Sequence, residues 1–89
     1  MGVYVDELNR YPKGWFCHMF ADSDDELHEF AAKIGLKREW AHFHAGVTKI
    51  LHYDLVPAKR SKALQLGAKE VIARKYIGDR MRAEGWYGG

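Results

Sequence analysis

Five histidines and three well-placed aspartates are the side chains of this 89-residue sequence best suited to chemistry. His18, Asp22, His28, His52 and Asp54 carry imidazole nitrogens and carboxylate oxygens, the donors that zinc and related cations accept. Asp6, Asp22 and Asp54 are the candidate catalytic carboxylates for acid–base work, with His18 as the fourth candidate. His42 and His44 stand two apart, which on a strand turns both imidazoles to one side. His28 has Ala32, not a second ligand, one helical turn further on. The local spacings therefore spell no metal site, and neither metal ligands nor a cofactor is assigned from them. Phosphate-cradling signatures are missing too, with no glycine-rich loop leading to lysine and no G-x-G-x-x-G. Cys17 beside His18 makes no thiol–imidazole pair, because neighbours on a strand face opposite ways.

A second constellation is aromatic and basic. Trp15, Arg38, Trp40, His52, Tyr53, Lys59 and Arg60 combine flat rings, on which bases or sugars stack, with cations that hold phosphate. Lys59 and Arg60 fall in the first turn of an expected helix, whose amino end also attracts anions. The competing reading puts the tryptophans in the core and leaves the cations solvated.

The elements that must position these residues follow from local pattern. Residues 2–6 read as a central strand ending at Asp6, and 9–14 as a loop punctuated by Pro12 and Gly14. Residues 15–20 are a strand or a packed aromatic connection. Ser23 three residues before Glu26 is a capping box, and Asp24 and Asp25 favour the positive helix end. Leu27, Phe30, Ala31 and Ile34 form one apolar helical face, and Gly35 stops it. Residues 36–45 are an extended or strand-like stretch broken by Gly46, and 50–55 a second strand ending near Asp54. Pro57 opens a second helix and Gly67 closes it. Residues 69–72 are a third strand, 73–84 a last helix, and 86–89 a tail. Strand and helix alternating three times predicts an α/β fold with a small, mostly parallel sheet of three to four strands and about three helices. Sites in such sheets form beyond the carboxyl ends of the strands, which places Asp6 and Asp54 on one rim.

Composition sets the outer limits. The chain is 47% hydrophobic and 29% charged, the balance of one globular domain over residues 1–89. No apolar run approaches the ~20 residues of a membrane span, and the first residues lack the basic-then-apolar pattern of a secretory leader. With one cysteine no internal disulfide can form, and a cytoplasmic protein without membrane partners is expected. The net charge of +2 divides unevenly, −4 over residues 1–36 and +6 over 37–89. Duplex nucleic acid usually meets a stronger basic excess, so it is the less favoured partner.

The segments VYVD, WFCHMFADS, ELHEFAAKIGLKR, HYDL and KR…A…GAKEV together resemble domain-of-unknown-function family 4031, small proteins of phages and bacteria. The resemblance runs from Val3 to about Met81. It places the family's recurring positions on Asp6, Trp15, His18, Asp22, Glu26, Leu27, His28, Phe30, Ala31, Gly35, His52, Tyr53, Asp54, Arg60, Gly67 and Ala68, and implies no established activity. The leading expectation is a non-catalytic binding protein for a small anionic, nucleotide-like ligand. Trp15, His18, His52 and Tyr53 would wall its site, and Arg38, Lys59 and Arg60 would hold phosphate. The phage connection makes sequestration of a host signalling nucleotide one concrete version, and a homo-oligomer would deepen the pocket. The alternatives are a small hydrolase using Asp6, His18, Asp22 and Asp54, with or without a divalent metal, and a structural or protein-binding module.

Overall fold

The computed structural model describes residues 2–43 and 50–83, His42 and Phe43 by their backbone. His44, Gly46 and the tail 86–89 lie outside the described residues. The elements in chain order are β1 (Val3–Val5), β2 (Asn9–Tyr11), β3 (Gly14–Ala21), α1 (Asp24–Lys33), a 3₁₀ turn (Arg38–Trp40), β4 (His42–Phe43), β5 (Leu51–Leu55), α2 (Pro57–Gln65), β6 (Lys69–Glu70) and α3 (Ala73–Ala83).

The sheet runs β4-β5-β3-β1-β6, with β2 added to β3. It is mainly antiparallel, contrary to the expected mostly parallel sheet of three to four strands. β1 pairs antiparallel with β3, β3 with β2 and β5, and β4 with β5. Among the described strands only β1 and β6 are parallel. The reason lies in residues 9–14, expected as a loop. They begin a hairpin in which Tyr11 pairs with Gly14 across Pro12–Lys13, and Gly14 has φ +127°, a value that side chains resist. Only residues 6–13 separate β1 from β3, whereas a parallel crossover needs about a dozen or more. β3 must therefore return antiparallel. Because β3 lies between β1 and β5 and opposes both, those two strands still point the same way, and Asp6 and Asp54 do share a rim.

One sheet face carries the core. Val3, Val5, Cys17, Met19, Ala21, Tyr53 and Leu55 meet Leu27, Ala31 and Ile34 of the α1 segment and Ala63 of α2. Ser23 caps α1, its Oγ accepting the Glu26 N–H at 3.2 Å. Gly35 takes φ +82° just beyond Ile34, and Lys59 of α2 donates to the Ile34 carbonyl at 2.5 Å. The lysine thus completes the end of α1 and ties the two helices together. Among the described residues, α3 covers part of the other face. Tyr76 of α3 packs on Tyr4 and Phe20, with ring centroids 5.0 and 4.9 Å apart, and Arg80 donates to the Ala21 carbonyl. None of the described helices is long and apolar enough to cross a membrane.

Candidate functional site

Beyond α3, the second face holds His18, His52 and Asp54, of which His52 is buried and Asp54 exposed. Side chains alternate along a strand, so Phe16, His18 and Phe20 turn away from the core that Cys17, Met19 and Ala21 enter. His18 is in register with Asp54 of β5, and His52 lies on the same face two residues earlier. On the other side of His18, the chain leaving β1 supplies Asp6. The Asp6 N–H donates to the His18 carbonyl at 3.1 Å, and the carboxylate of Asp6 accepts both the His18 backbone N–H (2.5 Å) and its ring Nδ1–H (2.7 Å). Asp6 is fully buried, so these two donors stand in for the water that a carboxylate would otherwise need.

These bonds fix the tautomers. A carboxylate only accepts, so His18 donates from Nδ1 and, when neutral, carries its lone pair on Nε2. His52 reaches the same state by donating Nδ1–H to the Ile50 carbonyl at 3.0 Å. Both Nε2 atoms stand 3.8 Å from Asp54 Oδ1. One donor atom from each of His18, His52 and Asp54 lies within 4.8 Å of the others. A tetrahedral zinc centre with ~2.05 Å bonds has edges of roughly 3.4 Å. The two edges from Asp54 exceed that by about 0.4 Å, which Asp54, 44% exposed, can close by a small torsion, while the two imidazoles would also have to draw together around a cation. Imidazoles oriented through their far nitrogens by a carboxylate and a backbone carbonyl are the outer support that metal-binding histidines commonly have. Among the described residues three protein donors meet, the number that catalytic zinc sites use.

Asp6 also acts electrostatically on His18. Its hydrogen bond to Asp6 raises its pKa above the ordinary imidazole range, against the opposing effect of burial, and Asp54 adds to the rise. The same strand shows the opposite case at Cys17, whose thiol is pushed up to about 12, chiefly by burial, and is inert at neutral pH.

A cleft of about 400 Å³ opens above the three residues, lined by Tyr11, Pro12, Lys13, Phe16, His18, His52 and Asp54. The β2–β3 hairpin forms one wall. Burial and the negative charges of Asp6 and Asp54 raise the Tyr11 pKa, so its phenol keeps its proton.

The structure brings together His18, His52 and Asp54, with Asp6 behind them. Other candidates lie elsewhere. Trp15 is 52% exposed on the hairpin, away from the cleft lining, and Arg38 is exposed on the 3₁₀ turn. Tyr53 is buried in the core face and shares a 2.6 Å hydrogen bond with His28. Lys59 is committed to the end of α1. Arg60 donates to the Asp6 carbonyl at 2.9 Å and pairs with Glu70 at 2.7 Å, lining a different groove. Asp22 accepts from the Tyr4 hydroxyl. The hairpin residues Tyr11, Pro12, Lys13 and Phe16 were not expected at the site; recognising the hairpin would have placed Phe16 on the His18 face.

Fold and centre together define a small protein built on a mainly antiparallel sheet, with a His–His–Asp cluster beside a hairpin. Residues 3–84 match the family described as "Protein of unknown function (DUF4031)", and the chain belongs to that family. No curated protein and no solved structure matches the chain.

Proposed function

We propose that this protein is a small metal-assisted hydrolase whose centre is His18, His52 and Asp54. The observation that carries the proposal is the convergence of three donor atoms within 4.8 Å, with both imidazoles held in the tautomer that presents Nε2 to the shared space. A divalent cation held there would supply an activated water for attack on an ester or phosphoester. The chain's own residues do the rest. Asp6 and the Ile50 carbonyl orient the two imidazoles, Asp54 gives the anionic donor on the solvent side, and the hairpin shelters the cleft. The test is elemental analysis of protein purified without a histidine tag, followed by zinc titration in a calorimeter. We expect one zinc per chain in the wild type and none in His52→Ala. A wild type that neither carries nor takes up a divalent metal at micromolar concentration overturns the proposal.

A second reading, retention of a small anionic, nucleotide-like ligand without turnover, draws support from Lys13 at the cleft. It is the weaker one, because Lys59 and Arg60 spend their donors on carbonyls and on Glu70.

A further inference from the structure

We propose that the β2–β3 hairpin is a ring-binding subsite, so that the ligand of the cleft is a planar ring carrying a phosphoryl group. The role given to the metal rests on the hydrolase reading; the ring subsite rests on the hairpin itself. Tyr11 and Phe16 sit at diagonal positions of the hairpin, with ring centroids 6.2 Å apart at an interplanar angle of 60°. Tyr11 is 41% exposed, a large ring held near solvent at a turn where a small polar residue would serve the fold as well. With Pro12 these rings make one side of the cleft apolar, while His18, His52 and Asp54 make its floor polar. A ligand that fills the space needs both characters. A cleft of about 400 Å³ suits a small molecule with one or two rings and not a polymer.

Charge selects the other end of the ligand. Lys13 is the cation and Asp54 the acid among the described lining residues. A divalent cation beside Asp54 makes the floor net positive, and Lys13 adds to it, so the complementary group is an anion. A phosphoryl group, with three oxygens spread over a tetrahedron, can face Lys13 and the floor at once. The flat face of the ring then rests on Tyr11 or Phe16, a contact that tolerates many ring types because every aromatic ring has a π-face.

Calorimetry with phenylphosphonate and methylphosphonate tests this, since their carbon–phosphorus bond resists hydrolysis. We expect zinc-loaded wild type to bind the phenyl compound about tenfold more tightly than the methyl one. Tyr11→Ala should erase that preference while zinc stoichiometry stays at one, and Lys13→Ala should weaken both compounds by a similar factor. Equal affinities in the wild type, no binding of either compound, or a preference that survives in both Tyr11→Ala and Phe16→Leu overturns the subsite. A phenyl preference on a protein that takes up no zinc upholds the subsite and overturns the hydrolase reading instead.

Discussion

Along β3, Cys17, Met19 and Ala21 face α1 and α2, whereas Phe16, His18 and Phe20 face the cleft and α3. The first set is buried and apolar and does no chemistry; the thiol of Cys17 is silenced by the packing around it. The second set includes an imidazole held by a buried carboxylate and open to solvent on its far side. Period-two alternation lets one strand serve both purposes. The scaffold is built by excluding water from one face, and the site by admitting it to part of the other.

The sharpest way to break this contrast is a pair of variants. Met19→Ala removes a fully buried side chain and should cost about 2–5 kcal/mol in urea unfolding, while the protein that remains folded keeps its zinc affinity. Asp54→Ala should change stability by about 0.5 kcal/mol or less, as expected for an exposed position, yet lower zinc affinity by at least roughly 10–100-fold. If both variants affect stability and zinc equally, the two faces are not separable. Asp6→Asn is a milder probe that touches both properties. The amide keeps the shape but has one acceptor oxygen for the two N–H donors of His18, and its NH2 opposes the other donor, so zinc affinity should fall by roughly 10–100-fold and stability by about 1–3 kcal/mol.

The smallest expected effect concerns α3, the partial cover of the cleft face. Glu7 accepts the Ala73 N–H at 2.9 Å, at the start of α3, and this bond lowers its pKa below the ordinary carboxylate range. A lowered carboxylate stabilises the fold above its unfolded-state value, and that contribution is lost as pH falls through the folded value. The protection factor of amides in the first turn of α3, exchange relative to the intrinsic rate at each pH, should therefore fall below about pH 4.5 in the wild type, and Glu7→Gln should show less of that pH dependence.

Much of the scaffold was legible in local pattern. The Ser23 cap, the face of Leu27, Ala31 and Ile34, the stop at Gly35, and Pro57 opening α2 are each written within one or two helical turns. Strand–helix alternation points to a parallel sheet, but the short spacing from Asp6 to Gly14 forces the antiparallel return. The meeting of His18 with Asp54 depends on register between β3 and β5, which no local spacing encodes. A partial signal did exist. His52 and Asp54 are separated by one residue on a strand and must share a face, just as His42 and His44 were expected to. Asp6 could be placed at a strand end, but its burial under His18 follows only from the hairpin.

The position of β3 has a consequence for folding. Its neighbours, β1 and β5, are far apart in the chain; the donors at His18, His52 and Asp54 are adjacent only once β3 and β5 are aligned, and Asp6 reaches His18 only once β1 joins them. An unfolded chain does not present that cluster. Any ligand of it therefore binds the native state selectively, adding about 2.7 kcal/mol at a hundred times its dissociation constant. In so small a domain that gain is a substantial part of the total, so an occupant of the cleft would also act as a latch across the middle of the sheet.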